Sequence, residues 1–317
     1  MTEHEGKSDS SIQVANAPCS WGSLEFEEIS EDEEIGYPQM LDELVATGYT
    51  GTELGDWGYM PTDPNALQAE LKQRALTMVG AFVPVALRNP EAHADGEARA
   101  LQVAQLMAEV CDEHSPFVIL ADDNGTDPVR TQNAGRVTPD MGLSEAEWDT
   151  FATGATRVAR AVREETGLPT AFHHHCAGYV ETPDEIEQFL GRTDPGLIGL
   201  TLDTGHYAYG AGPGGCQDFK EAFERFGDRI WHVHFKDCDP EVARQARNKE
   251  WEYFETVQEG IFCELGEGCV DFPLVVNRLR QQGYAGWIVV EQDVLPGMGT
   301  PRASAQRNRN YLREIGL

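Results

Sequence analysis

No stretch of this chain stays apolar long enough to cross a bilayer, which takes about 20 consecutive apolar residues, so no helical membrane span is expected. Positive charge is scarce: 24 Lys and Arg stand against 54 Asp and Glu, a net charge of −30. A field of that sign repels nucleic acid and anionic membrane surfaces. It also argues against a phosphorylated substrate unless a local basic pocket is present. Lysine itself occurs five times. With the acidic excess, that fits a salt-adapted host or a high-GC codon bias over a solvated surface. Residues 1–10 lack the basic start and apolar core of a signal peptide, so a disordered tail over residues 1–11 on a cytoplasmic protein is expected. CxxC pairs are missing too. The seven cysteines, at 19, 111, 176, 216, 238, 263 and 269, are scattered and odd in number. They read as reduced thiols rather than a disulfide framework, with Cys176 and Cys238 as small semi-buried hydrophobes. No Pro/Ser-rich linker and no internal repeat divides the chain, so residues 12–317 are expected to form one catalytic domain.

What the chain does contain is a regular alternation. Strand-like apolar runs occur at residues 12–16, 51–54, 77–84, 117–121, 170–175, 198–203, 230–235 and 287–291. Helical patterns fall between them, at 38–47, 64–75, 96–112, 144–166, 183–190, 217–226 and 272–282. Pro183, preceded by Thr182 and followed by Asp184 and Glu185, marks a helix start. Strand alternating with helix eight times is the order of a (β/α)8 TIM barrel. Segment 239–268 is long for a strand-to-helix connection and holds a polar, helix-like stretch at 240–256. Long insertions on that face usually shape or cover a site.

Several of the later strands stop at a His, Asp or Glu. One ends in His173, His174 and His175; the next in Asp203, followed by Thr204, Gly205 and His206. A third carries His232 and His234 before Lys236 and Asp237, and the last reaches Glu291 after four apolar residues. The C-terminal ends of parallel barrel strands converge on one face. A His/Asp/His/Glu set with open positions suits Mn²⁺, Co²⁺ or Zn²⁺. The predicted ligands are therefore His173, Asp203, His234 and Glu291. Strand alternation puts His173 and His175 on one face and His174 on the other. His232 is expected behind His234, as a hydrogen-bonded residue of a deeper barrel layer. A carboxylate at Glu291 is costly there unless paired or metal-bound. Asp203 alone reads equally well as a helix cap. Earlier strand ends supply Asn16, Glu53 and Asp122, near Trp21 and Trp57. Such groups suit a polyhydroxylated ring, although turns favour Asn, Asp and Gly in any case.

Seven motifs, taken together, resemble the xylose-isomerase-like TIM-barrel superfamily. They are Asn16–Gly22, Gly51–Gly55, the His173–His175 run with Tyr179–Thr182, Leu202–His206, His232–Asp237, Gly266–Phe272 and Val290–Glu291. Within it the chain is most similar to the inosose dehydratase family. The resemblance implies dehydration of a small polyhydroxylated ketone, 2-keto-myo-inositol, to a cyclic diketone. It implies a divalent cofactor, Mn²⁺ or Co²⁺ before Zn²⁺. It also implies a base at Glu291 or a histidine beside it, and an acid among His175, His206 and Lys236. His206 and Lys236 would in addition touch the substrate, with Asn16, Trp21, Glu53 and Asp122. The chain departs from the wider superfamily at one point: sugar epimerases carry a Glu where His173 stands, and they use two metal-bound Glu to move protons on opposite faces. Gly178 departs too, since dehydratases more often have Thr near that position. The alternatives are a keto-sugar isomerase or epimerase of the same fold, and a non-catalytic metal- or sugar-binding barrel. Assembly into a homo-oligomer is left open.

Overall fold

A computed structural model describes the protein at residues 12–22, 35–111, 115–217, 219–294 and 298–317. The tail expected at residues 1–11 lies outside the described residues. The strands are β1 (Gln13–Asn16), β2 (Gly51–Glu53), β3 (Thr77–Pro84), β4 (Phe117–Ala121), β5 (Thr170–His173), β6 (Ile198–Asp203), β7 (Ile230–Phe235) and β8 (Trp287–Val290). Each pairs in parallel with the next, and β1 pairs with β8, closing an eight-stranded barrel. The strands are rich in Val, Ile, Phe and Thr, which suits a pleated surface buried on both sides. Alternation divides their side chains. Val14 joins the large core under the helices, whereas Ala15, Ala17, Val79 and Val289 form a small separate cluster between the strands.

The helices follow local signals. Helix Pro183–Gly191 starts with proline after Thr182 and carries a full capping box with Glu185. Glu185 also accepts two hydrogen bonds from Arg130, at 2.8 and 2.9 Å. Arg130 is fully buried, and its Nε donates to Gly178 O at 2.8 Å. Removing one partner of such a pair leaves the other charge buried and alone. Glu185→Ala is therefore expected to cost about 3–5 kcal/mol of stability, read as a lowered midpoint in thermal or urea unfolding.

Helix Pro301–Glu314 was not foreseen; its apolar face is thin, with Ala305 and Leu312 the buried hydrophobes. The stretch at 240–256 is two helices, Pro240–Lys249 and Tyr253–Gln258. Glu250 breaks them apart with φ 58°. The cysteine reading needs a correction as well. Cys216 and Cys269 form a disulfide, their Cα atoms 5.5 Å apart although 53 residues separate them in sequence. That spacing is within bridging range, and only the folded barrel creates it. Among the described residues the other five cysteines are thiols. Burial pushes the thiols of Cys176 and Cys238 up, that of Cys238 to about 12. Both are thus poor nucleophiles. No helix among the described residues is long and apolar enough to cross a membrane.

Candidate metal centre

β5 ends at His173, β6 at Asp203, and β7 holds His234 one residue before its end; Glu291 follows the last residue of β8. The barrel register sets Asp203 opposite His234. One ligand atom from each of these residues lies within 4.8 Å of all the others. His173 Nε2 is 3.7 Å and His234 Nδ1 3.9 Å from Asp203 Oδ2, and His234 Nδ1 is 3.1 Å from Glu291 Oε1. Metal bonds to such atoms run about 2.0–2.2 Å, which puts opposite donors at most about 4.4 Å apart, so small side-chain shifts would bring all four onto one ion.

The donors fit a divalent cation on further grounds. Asp203 Oδ2 and His234 Nδ1 are buried without an aligned hydrogen-bond partner, an arrangement that is costly unless something else satisfies them. The carboxylates of Glu53, Asp203, Glu291 and Asp293 crowd around the single ammonium group of Lys236 and the imidazoles. Burial works against ionising Glu291, but His234 and Lys236 hold its pKa well below the usual range. Burial likewise opposes a charge on His234, yet Glu291 and Glu53 hold its pKa well above the usual value. In the metal-free protein a proton on His234 thus offsets part of the negative charge.

Asp203 caps a helix and also faces the cluster. Its Oδ1 caps helix Thr204–Gly210 by accepting from His206 N–H at 2.8 Å, and its Oδ2 faces the cluster. Behind it, His174 Nε2 accepts from the Asp203 N–H at 3.2 Å. Burial and the neighbouring His173 push the His174 pKa down to about 3, so that acceptor stays unprotonated.

The rings of His175 and His206 lie against each other, centroids 3.7 Å apart and planes tilted by 37°. One residue fixes both tautomers. Cys176 O, which can only accept, lies 2.6 Å from His175 Nδ1. Cys176 N–H, which can only donate, points at His206 Nδ1 at 3.3 Å. His175 therefore carries its proton on Nδ1, with Nε2 as the acceptor, and neutral His206 presents an Nε2–H donor. Burial, with His175 and Lys236, keeps His206 well below its ordinary pKa and hence neutral.

Lys236 is buried, with Nζ 3.2 Å from Asp293 Oδ2 and 3.5 Å from Glu291 Oε2. Burial opposes its charge, but Asp293 and Glu291 raise its pKa well above the usual value, so it stays cationic. Its stem passes over Gly205, where a Cβ would come within 2.7 Å of Lys236 Cγ. Segment 239–268 does reach the site. Phe262 packs edge-on to His206 at 4.8 Å and lies 4.8 Å beneath the Lys236 ammonium; the Tyr253 ring meets that of His175 at 5.7 Å.

Other sequence-predicted contacts go elsewhere. Asn16 shares the side of β1 with Val14 and sits beside the Tyr49 hydroxyl, because strand alternation turns it away from the barrel interior. Trp21 is buried and donates its indole N–H to Glu43 on helix Tyr37–Thr47 at 2.9 Å. Glu53 faces inward but is bonded to His232 and His234 rather than presented to a ligand. Asp122 accepts from Tyr179 N–H at 3.3 Å, which ties it to the loop after β5; burial and then Asp123 push it up to about 8. Trp57 is exposed. At Gly178 a Cβ would meet Asn124 Oδ1, so a larger residue there would require the Asn124 side chain to move.

The sequence reasoning missed Asp293, Tyr253 and Phe262, which nothing local marks, and the role of Asp237. The Asp237 carboxylate accepts from the N–H groups of Cys238, Gly266, Gly268 and Val270, at 2.8–3.0 Å, and so latches the end of the insertion to β7. Its place next to Lys236 in a dense polar motif was the available signal.

The family described as xylose isomerase-like TIM barrel matches residues 41–315. The chain is 30% identical over 313 residues to an inosose dehydratase of Bacillus velezensis, covering 97% of each chain. It is 29% identical over 308 residues to one of Geobacillus kaustophilus, covering 96% of this chain and 94% of that one. Among solved structures, the IOLI protein with a binding zinc atom superimposes with a TM-score of 0.67 at 13% identity, over 96% of this chain and 98% of that one. A D-psicose 3-epimerase from Clostridium cellulolyticum H10 gives a TM-score of 0.64 at 15% identity, over 96% and 99%. At such identities the structures speak for the fold alone.

Proposed function

We propose, from the premise that this chain belongs to the xylose isomerase-like TIM-barrel family and is a dehydratase, a carbon–oxygen lyase, like its inosose dehydratase relatives, that it removes water from 2-keto-myo-inositol. The observation that carries the reading is the make-up of the ligand cluster, in which His173 faces Asp203 and Glu291 is the one glutamate among the four ligands. Epimerisation by two glutamates working on opposite faces has no second glutamate there. Elimination needs one base and one acid.

His173, Asp203, His234 and Glu291 would hold the cation, Mn²⁺ or Co²⁺ before Zn²⁺. When bound, it supplies Lewis-acid polarisation of the ketone and positive charge for the developing enolate. Glu291, held ionised, takes the proton from the carbon α to the ketone. The C–O bond at the β-carbon then breaks as the enol double bond forms. Lys236 Nζ gives the departing hydroxyl its proton, so that it leaves as water. The His206 Nε2–H orients that hydroxyl by hydrogen bonding. Glu291 Oε2 lies 3.5 Å from Lys236 Nζ, so the proton gained from carbon can return to the lysine and close the cycle. Phe262 lies under the Lys236 ammonium and Tyr253 against His175, so both rings border the exchange. The enol product tautomerises to the cyclic diketone.

The test is to incubate the metal-loaded enzyme with 2-keto-myo-inositol in D₂O and follow the products by NMR. Loss of water and appearance of the diketone are expected. Ring-epimerised, deuterated ketone with no diketone would establish the epimerase alternative instead.

A further inference from the structure

We infer that Glu53 is the positioning residue of the metal centre: its carboxylate, at the end of β2, holds the His234 ring so that Nδ1 is the nitrogen offered to the cation. The inference rests on the metal-site reading above and assigns a role to a residue outside the ligand set. Glu53 Oε1 lies 2.9 Å from His234 Nε2 and 3.1 Å from His232 Nε2. A carboxylate oxygen within hydrogen-bond distance of two ring nitrogens accepts from both. Both Nε2 atoms are therefore the protonated ones. In a neutral His234 ring the lone pair then falls on Nδ1, the atom nearest Asp203 Oδ2 and Glu291 Oε1.

Alternation along β2 puts Glu53 on the same side as Gly51, whose Cβ position faces Val79 inside the barrel. The pairing with β3 slips beside it, with Val79 the extra residue on β3. Alternation along β7 turns His232 and His234 to the same side, their ring centroids 5.2 Å apart. His232 rests against Phe117 at 5.2 Å, near the start of β4, and so forms a layer deeper than the ligands. It is the second donor that keeps the carboxylate of Glu53 in register. Carboxylate–histidine–metal arrangements of this sort orient a ligand and raise its basicity.

A rival use of the same atoms is a second ion among Glu53, His232 and His234, which also cluster. That would strip the proton from both Nε2 atoms, make His234 bridge two cations and leave Glu53 as the only carboxylate in the set. The two hydrogen bonds already satisfy these groups.

The experiment compares wild type, Glu53→Gln and Glu53→Ala by competition for Mn²⁺ and Co²⁺ against a chromophoric chelator. Stoichiometry comes from elemental analysis, and the visible absorption of the Co²⁺-loaded proteins from spectroscopy. Unfolding of the metal-free proteins serves as the fold check. The expected result is one ion per chain in all three at saturation. Affinity should fall about 10–100-fold, less for Gln, whose amide oxygen still accepts a hydrogen bond, than for Ala. The Co²⁺ ligand-field bands should shift, which a purely structural role would not cause. Wild-type affinity and spectrum in both variants overturns the inference while leaving the metal site standing. Two ions per wild-type chain, one of them lost in Glu53→Ala, overturns it in favour of a second metal. A wild-type protein that binds no divalent ion overturns both this and the metal-site reading, and is distinct from either outcome.

Discussion

Asp203→Ala and His234→Ala are each expected to leave the purified, Mn²⁺- or Co²⁺-dialysed protein without its ion and without measurable turnover. Each removes a donor from a set of four whose atoms lie within 4.8 Å of one another. Losing the ion removes Lewis-acid stabilisation of several kcal/mol, about a thousand-fold or more in rate. The two sites differ in one respect. Asp203 also caps helix Thr204–Gly210 through the His206 N–H, so Asp203→Ala disturbs the position of His206 as well. Asp203→Asn keeps an oxygen for that cap and removes only the charge; it should lose metal with little change in unfolding midpoint. Metal uptake should also weaken as pH falls. His234 is held protonated in the metal-free protein, and a cation must displace that proton. Wild-type occupancy by elemental analysis in both alanine variants would sink the assigned ligand set.

Strand ends were the most legible part of the molecule. For β3, β4, β6 and β7 the apolar runs coincide with the observed strands. Each is a β-branched or aromatic run, and its end is marked by a change of residue type. β5 stops at His173 rather than at residue 175. There the chain turns back: His175 N–H donates to Val180 O at 3.1 Å, and Ala177 adopts φ 62°. Three polar histidines in a row gave no hint of where pairing would cease.

Side-chain direction was legible only where alternation was unbroken. His232 and His234 lie on a regular stretch, and their shared face followed from spacing. Glu53 faces inward as alternation requires, but its partners come from β7, so the sequence suggested a polar contact but not which one. Asn16 and Trp21 belong to a polar-looking motif that suits a sugar, yet one points behind β1 and the other is spent on Glu43. Contacts between distant segments left no local trace. The Cys216–Cys269 bridge, the covering rings of Tyr253 and Phe262, and the pairing of Asp293 with Lys236 all join residues that only the closed barrel brings together.

Glu291→Gln should abolish turnover far more completely than it weakens substrate binding. The amide cannot accept the proton that the proposed base takes from the α-carbon, and loss of a general base typically costs about 10²–10⁴-fold in kcat. Binding draws instead on Lys236 and His206, which the substitution leaves in place. Lys236 keeps its contact with Asp293 at 3.2 Å, so its charge and position should survive. The confounding effect is metal loss, because Glu291 is also one of the proposed ligands. The comparison therefore uses variant protein reconstituted with metal, with occupancy measured on the same sample, and reads kcat separately from KM. A drop of at least a hundred-fold in kcat at full occupancy, with KM changed little, supports Glu291 as the base. If the fully loaded variant keeps more than about a tenth of wild-type kcat, the proton goes elsewhere. His175 is then the leading candidate, since the carbonyl of Cys176 fixes its proton on Nδ1 and leaves Nε2 as the accepting nitrogen. His206, whose Nδ1 already takes the Cys176 N–H, is the weaker one.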